Sequence, residues 1–297
     1  MKNKFVRIAL AFFAIFTMTI TGAMANTLEK AKTTGKFTLA YRESSIPFSY
    51  LGEDGKPLGF GWEMCKLIAE EVKKTTGRKD LVVESQAVTS QNRIPLIQNG
   101  TVDVECGSTT NNSERGKQVT FAINYFYTGT RFLVKADSGI KSINDLKGKK
   151  VVSTTGTTNY QILRNLNDEK KYGFELLGAK DHADALLMVE SGMAHAFGMD
   201  DILLYGLKAS SKESAKLAVV GESIQVEPYA IMFRKDDPQF QALVNKVITN
   251  SMKSGEFEKA YKKWFQTNIP PKNVNLNAPM SKELKDNLKN LSDKPAL

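Results

Sequence analysis

The stretch from Glu105 to Arg115 reads Glu-Cys-Gly-Ser-Thr-Thr-Asn-Asn-Ser-Glu-Arg and overlaps the end of a largely apolar run, residues 101–106. A strand that ends in such a cluster delivers several hydroxyl and amide donors to one point, and Arg115 adds a permanent cation. This composition favours binding of a small anion. It does not favour nucleophilic catalysis, because the stretch holds no histidine or paired base to activate a nucleophile.

Strand and helix patterns alternate on both sides of this stretch. The first run predicts strand 37–41, helix 62–73, strand 81–84, helix 94–99 and strand 102–106. The second predicts strand 149–153, helix 157–166, strand 174–177, helix 183–190, strand 194–199 and helix 202–210. A strand at 230–234 and two helices ending near residues 252 and 265 follow, and then a polar tail, 272–297, that we expect along the surface.

Two successive runs of this kind predict an α/β protein with two lobes, each a mainly parallel sheet flanked by helices. Residues 26–297 also exceed what one compact core usually holds. We predict that residues 26–130 and 230–297 form the first lobe and residues 131–229 the second. Two crossing strands, near residues 128–132 and 225–231, would form a hinge, and a ligand would lie in the cleft between the lobes.

The first 25 residues have the layout of a secretory signal peptide. Lys2, Lys4 and Arg7 precede an apolar run at residues 8–20, and Ala23-Met24-Ala25 is an Ala-x-Ala cleavage site. The run is short for a membrane span, although an uncleaved N-terminal anchor is the alternative reading. We therefore expect cleavage after Ala25 and a mature protein exported to the periplasm.

Composition argues against several function classes. Three signal-peptide cations contribute to the net charge of +9, and the remaining excess is scattered without an Arg/Lys cluster carrying interleaved aromatics. A nucleic-acid partner is therefore not expected. The two histidines, His182 and His195, lack metal-ligand spacing to the cysteines, so we expect no metal and no cofactor.

Cys65 and Cys106 are the two cysteines of the chain. In an exported protein such a pair often forms a disulfide, which here would brace the first lobe; two buried free thiols are the alternative.

Six motifs stand in one order along the chain. They are Tyr41-Arg-Glu-Ser-Ser-Ile-Pro-Phe-Ser49, Thr89-Ser-Gln-Asn-Arg-Ile-Pro-Leu-Ile-Gln-Asn-Gly-Thr101, the stretch from Glu105 to Arg115, Thr154-Thr-Gly-Thr-Thr158, Ala179-Lys-Asp-His182 and Met199-Asp-Asp201. Together they closely resemble the periplasmic glutamate/aspartate-binding proteins of bacterial ABC importers, in the family 3 solute-binding class. The resemblance covers nearly the whole chain after residue 26. It implies a type II periplasmic-binding fold.

The resemblance also implies residue roles for the amino-acid backbone of the ligand. The arginine after the Ser/Thr cluster, here Arg115, would hold the α-carboxylate through two parallel charge-assisted bonds. Ser108 and Thr110 would add donors around the α-carboxylate and ammonium. Asp200 would bind the ammonium, with Asp201 as the second choice.

Six further positions follow from the same resemblance. Thr155 and Thr158 flank a glycine before a helix, where backbone N–H groups can meet an anion. A second cationic site for the ligand's side-chain carboxylate would be formed by Arg42, Ser90, Arg93 and His182. The alternatives are a loop salt bridge from Arg42 to Glu43, a surface position for Arg93 and an ordinary polar role for His182.

The resulting hypothesis is a monomeric binding protein that captures L-glutamate and L-aspartate and docks on the permease subunits of an ABC importer. A periplasmic enzyme on the same fold, such as a dehydratase for a cyclic acid, is the alternative. It would need a general acid or base in the cleft, from Glu43, Asp200 or His182. A ligand-sensing receptor domain would need a membrane helix after residue 270, which the polar tail does not favour.

Overall fold

The computed structural model describes residues 26–296, so the predicted signal peptide lies outside the described residues. The helices are α1 (Thr27–Thr34), α2 (Phe60–Thr76), α3 (Arg93–Gln98), α4 (Ser113–Gly116), α5 (Thr158–Lys170), α6 (His182–Glu190), α7 (Asp201–Ser210), α8 (Pro238–Ser254), α9 (Glu256–Phe265) and α10 (Lys282–Asn290), with 3₁₀ turns at Ile143–Leu146 and Ser214–Lys216.

The strands are β1 (Lys36–Tyr41), β2 (Ser44–Ser45), β3 (Ser49–Leu51), β4 (Pro57–Leu58), β5 (Val82–Ala87), β6 (Val104–Glu105), β7 (Val119–Phe121), β8 (Phe126–Lys135), β9 (Lys150–Thr154), β10 (Glu175–Ala179), β11 (Ala196–Asp200), β12 (Leu217–Val220), β13 (Val226–Tyr229), β14 (Met232–Arg234), β15 (Asn268–Ile269) and β16 (Val274–Asn275).

The first lobe is built on a sheet of order β5-β1-β6-β14-β7. Strands β5, β1 and β6 are parallel, as expected for strands joined through helices α2 and α3. Strands β14 and β7 are antiparallel to their neighbours. Since β14 comes from late in the chain, this sheet is made from both ends of the protein.

The second lobe is built on a sheet of order β10-β9-β11-β8-β12. Strands β10, β9 and β11 are parallel, and β8 runs antiparallel to β11. Strand β8 begins beside the first lobe, where it pairs with β13 and sets Thr128 opposite Glu227. It then continues into the second sheet.

The predicted fold class, a two-lobe α/β protein, is confirmed, with the adjustment that each sheet is mixed. The parallel half of each sheet comes from the strand–helix alternation, and the antiparallel half comes from β8 and β14, which return through the sheet. The predicted lobe boundaries and the hinge at residues 128–132 and 225–231 stay predictions.

Helix α2 shows why the first lobe holds together. Its buried positions include Trp62, Cys65, Ile68 and Val72, the periodic set that predicted it. Cys65 forms a disulfide with Cys106, which directly follows β6, at a Cα–Cα distance of 5.8 Å. The predicted bridge is thus present, and it ties α2 to the stretch from Glu105 to Arg115.

The polar tail is more structured than its composition indicated. Strands β15 and β16 form a hairpin, and helix α10 follows. Helix α10 fully buries only Leu284 and Asn287, and its few apolar residues share one face, where Leu284 and Leu288 contact the core. Within residues 26–296, no helix combines the length and apolar character needed to cross a membrane.

Candidate functional site

The predicted site residues follow the carboxyl ends of parallel strands in both lobes. In the first lobe, Arg42 follows β1, Ser90 and Arg93 follow β5, and the stretch that ends at Arg115 follows β6. In the second lobe, the loop at Gly156 follows β9, His182 follows β10, and Asp200 ends β11. Carboxyl ends of neighbouring parallel strands share one edge of the sheet, so each lobe presents its polar residues on one rim.

The first lobe contributes three buried guanidinium groups. The side chains of Arg42, Arg93 and Arg115 are 0%, 2% and 8% exposed. Burial lowers the pKa of Arg93 to about 9; the nearby Glu105 carboxylate opposes this shift, and the cations of Arg115 and Arg42 add to it. Three mutually close cations in a dry site therefore raise the free energy of the protein unless anions accompany them.

Several donors of this cluster have no hydrogen-bond acceptor. Among residues 26–296, the buried atoms without a partner include Nε and Nη1 of Arg42, Nε and Nη1 of Arg93, and Oγ of Ser90. Arg93 Nη1 lies 3.8 Å from Glu105 Oε1, close enough for an ion pair but too far for a hydrogen bond. Each buried donor left unsatisfied costs about 1–3 kcal/mol, so the cluster is suited to accept an anion.

Arg42 also joins the two lobes. Its Nη2 is 2.7 Å from Asp181 Oδ1 and 3.4 Å from His182 Nε2, both at the start of α6. His182 Nδ1 lies 2.8 Å from Thr154 Oγ1. Burial, followed by the Arg42 cation, lowers the pKa of His182 to about 3 against the opposing effect of Asp181, so the imidazole is neutral at neutral pH.

Arg115 makes a second connection between the lobes. Its Nη1 donates to the carbonyl of Thr110 at 3.0 Å, and its Nη2 donates to the carbonyl of Gly156 at 3.2 Å. Beside it, the hydroxyls of Thr110 and Thr158 both donate to Glu227 Oε2, at 3.0 and 2.9 Å. A buried carboxylate of the protein thus already bridges two hydroxyls from opposite lobes.

Asp200 is a buried acid with two donors. Its Oδ1 accepts from Asn159 Nδ2 at 2.8 Å, and its Oδ2 accepts from the Tyr229 hydroxyl. Burial and the nearby Glu227 carboxylate raise the pKa of Asp200 to about 8, against the effect of these hydrogen bonds. An ammonium group placed beside Asp200 would reverse this shift and leave the carboxylate ionised.

The rims of the two lobes lie in close contact. The cavity between them measures only about 10 Å³, room for about one water molecule. It is lined by Ser90, Arg93, Ser108, Thr110, Thr157, Thr158, Asn159, His182, Met199, Asp200 and Leu203. An amino acid is far larger than this, so its entry requires the lobes to separate.

Comparison with known proteins places the chain in a family. The sequence profile of the bacterial extracellular solute-binding proteins, family 3, matches residues 37–267. The chain belongs to this family. It is therefore an extracellular solute-binding protein.

Curated relatives extend over most of this solute-binding protein. It is 50% identical over 274 residues to the L-glutamate/L-aspartate-binding protein of Pseudomonas aeruginosa, covering 92% of this chain and 91% of the relative. It is 46% identical over 272 residues to the glutamate/aspartate import solute-binding protein of Escherichia coli, covering 92% and 90%. These relatives are binding proteins, which confirms the prediction of a non-enzymatic protein over the dehydratase-like alternative.

Solved structures support the same fold. An ancestral arginine-binding protein bound to glutamine matches with a TM-score of 0.70 at 29% identity, covering 78% of this chain and 98% of that chain. An ancestral amino-acid-binding protein, described as a precursor of cyclohexadienyl dehydratase, matches with a TM-score of 0.69 at 28% identity, covering 80% and 99%.

Nine of the predicted site residues gather at the interlobe contact of this solute-binding protein. Seven line the cavity: Ser90, Arg93, Ser108, Thr110, Thr158, His182 and Asp200. Arg42 and Arg115 adjoin it through His182 and Thr110. Thr155 is different, because its hydroxyl donates to the carbonyl of Ala179 and its side chain does not line the cavity.

The structure also decides between the alternative roles considered for Arg42 and Arg93. The acid paired with Arg42 is Asp181 of the other lobe rather than Glu43, and Arg93 is buried rather than on the surface. Sequence reasoning missed the acids that balance the arginines, namely Glu105, Asp181 and Glu227. Glu227 had one visible signal, since it is a lone acid between Val226 and Pro228-Tyr229 in a predicted hinge strand.

Proposed function

We propose that this protein captures L-glutamate or L-aspartate between its lobes and delivers it to the permease subunits of an ABC importer. The printed functions of the relatives from Pseudomonas aeruginosa and Escherichia coli support this ligand class. In this proposal the protein works as a monomer in the periplasm, after cleavage behind Ala25.

The observation that carries the proposal is the set of unpartnered donors on Arg42, Arg93 and Ser90 in the interlobe site. An acidic amino acid brings two carboxylates and one ammonium. One carboxylate can accept from Arg115, and the other from the unpartnered donors. An amino acid with an apolar or basic side chain would leave the Arg42 and Arg93 donors without an acceptor, which is a cost of several kcal/mol.

Each group of the ligand has a proposed partner. Arg115, Ser108, Thr110 and Thr158 hold the α-carboxylate, with backbone N–H groups at the start of α5. Asp200 holds the ammonium. The side-chain carboxylate is held by the second cationic set: Arg42, Ser90, Arg93 and His182.

The mechanism is closure of two lobes around the ligand. Groups from both lobes contact one molecule, so the closed arrangement gains contacts that the open one lacks, and the ligand shifts the population by that difference. Strands β8 and β13 pair at the junction and are proposed as the hinge. Charge-assisted bonds contribute roughly 1.5–3 kcal/mol each, so four or five can support micromolar affinity, about 8 kcal/mol net.

A panel of free L-amino acids tests this function. Thermal shift and isothermal titration of the mature protein should show binding of L-glutamate and L-aspartate, because a ligand that binds only the folded state raises its melting temperature. L-glutamine should bind at least tenfold more weakly, and L-lysine should give no shift. Tighter binding of lysine or arginine than of glutamate would overturn the proposal.

A further inference from the structure

Residues 292–296 follow α10 and form an extended segment, called the strap here, beyond the part matched by the family profile. It is fastened to Asn124, the second residue before β8. The backbone N–H of Asn124 donates to Ser292 O at 3.0 Å, and its side-chain Nδ2 donates to Lys294 O at 2.8 Å. Asn287 of α10 donates in turn to the Asn124 carbonyl at 2.7 Å.

The same strap is fastened to the anion-binding stretch. Asn111 Nδ2 donates to Asp293 O at 2.7 Å and to Asn124 Oδ1 at 2.9 Å. The backbone N–H of Ala296 donates to the carbonyl of Asn111 at 2.9 Å. Asn111, Asn124 and Asn287 are all buried, so these amides depend on the strap for acceptors or donors that water cannot replace.

Asn111 lies inside the segment that aims Arg115. The residue before it, Thr110, offers the carbonyl that accepts from Arg115 Nη1, and Asn112 Oδ1 accepts from the Arg115 N–H. Arg115 itself belongs to α4, which has only four residues. So short a helix has almost no stability of its own, and its orientation is therefore set by the contacts of the residues beside it.

We infer that the C-terminal strap positions the Arg115 side chain to bind the ligand carboxylate. It touches no group proposed to contact the ligand, and it acts by fixing Asn111, and through it Thr110 and Arg115, against the start of β8. This inference rests on the proposed function for its effect on affinity, but its effect on the segment itself does not.

Two variants loosen the strap, and one leaves it intact. Ala296→Pro removes the backbone N–H that donates to the Asn111 carbonyl. Asn124→Ala removes the two side-chain hydrogen bonds of Asn124, one to the Lys294 carbonyl and one from Asn111 Nδ2. Lys294→Ala is the matched control, because the strap uses only the backbone of Lys294. Titration with L-glutamate should show about fivefold weaker binding for Ala296→Pro, tenfold or more for Asn124→Ala, and less than twofold for Lys294→Ala.

The same titration in an Arg115→Lys background distinguishes a loss of Arg115 positioning from a general loss of stability in the first lobe. Arg115→Lys keeps the positive charge but loses the guanidinium, which can bind a carboxylate in a bidentate way. If the strap acts through Arg115, Asn124→Ala should cost less than twofold in the Arg115→Lys protein. An equal loss in both backgrounds would overturn the inference, as would unchanged affinity of Asn124→Ala in the otherwise wild-type chain.

Hydrogen exchange supplies a readout that needs no ligand. The amides of residues 108–118 should exchange faster in Ala296→Pro and Asn124→Ala than in Lys294→Ala, while those of β9 and β10 should not change. Unchanged exchange in residues 108–118 would overturn the strap's role. Faster exchange in a protein that fails to bind L-glutamate would instead refute the proposed ligand and leave the positioning role standing.

Discussion

Gly156 of the second lobe lies against the backbone of Gln91 in the first. A Cβ atom built on Gly156 would come within 2.6 Å of Gln91 Cα and 2.7 Å of its backbone nitrogen. Real Cβ atoms do not approach a backbone so closely. The closed arrangement of the lobes therefore requires a glycine here, quite apart from its positive φ of 79°.

Gly156→Ala should consequently hold the lobes apart and weaken L-glutamate binding by at least tenfold, about 1.4 kcal/mol. Isothermal titration measures this loss. Gly139→Ala is the control, since Gly139 has a similar φ of 72° in the same lobe and nothing within 4 Å of its Cβ position. Equal, small losses in both variants would show that the contact with Gln91 does not limit closure.

Arg115→Ala should weaken binding by roughly 2–5 kcal/mol, because a buried ligand carboxylate would be left without its partner. The exposed Arg164 on α5 provides the control, and Arg164→Ala should bind as the wild type does. Titration with L-glutamate makes the measurement. A loss under threefold would remove Arg115 from the site.

Asp200→Asn should stabilise the protein while abolishing binding. In the folded protein the pKa of Asp200 is raised from 3.8 to about 8, so the folded state binds more protons than the unfolded state between these values. The contribution of Asp200 to the free energy of unfolding therefore falls as the pH rises through that window. The asparagine removes this loss, which we expect to be several kcal/mol at pH 8, at about 1.4 kcal/mol for each pKa unit.

Urea unfolding at about pH 4 and pH 8 tests the Asp200 prediction, with Asp168→Asn on the exposed side of α5 as the control. The stability difference between Asp200→Asn and wild type should be small at the lower pH and grow with pH. A difference that does not change with pH would contradict the proposed burial of an ionisable acid at this position.

Ligand binding should move protons at two residues in opposite directions. An ammonium beside Asp200 lowers its raised pKa, so a proton is released at neutral pH. A carboxylate beside His182 raises a pKa that lies near 3 in the present arrangement, so a proton is taken up when the pH lies between the free and bound values. Calorimetry in buffers of different ionisation enthalpy measures the net exchange. His182→Gln should shift it toward release, and identical exchange in the two proteins would exclude His182 from the ligand's neighbourhood.

The disulfide should contribute mainly to stability. Cys65 and Cys106 are separated by 41 residues, and a loop of that length corresponds to about 4 kcal/mol in the chain-entropy description. The Cys65→Ala, Cys106→Ala double variant should lose roughly 3–4 kcal/mol of unfolding free energy in urea, with L-glutamate affinity changed by less than threefold. A larger loss of affinity than of stability would show that the bridge shapes the site.

Local patterns in the sequence predicted much of this fold. The amphipathic period of α2 and the strand–helix alternation around β9, β10 and β11 depend on neighbouring residues, which a sequence displays directly. Strand β13 was expected only as part of a hinge. Helix α10 was not predicted, because the leucines that share its apolar face are few and the surrounding tail is highly polar.

The candidate site was likewise predicted only in part. Arginines and hydroxyls that follow strand ends were visible as motifs, and the structure gathers nine of the ten predicted residues at the interlobe contact. The partners of the two acids Asp181 and Glu227 were not visible, because these acids become neighbours of Arg42 and Thr110 only when the two lobes meet. Pairings across lobes carry no signature in a single sequence.

The small size of the cavity between the lobes has a consequence for the shape of the protein during ligand exchange. A cavity of about 10 Å³ has to open for each molecule taken up and open again for each molecule released. Loading therefore changes the spacing of outer surfaces on the two lobes, far from the amino acid. Under the proposed function, a permease that contacts both surfaces at once would distinguish the protein with ligand from the protein without it by their separation alone.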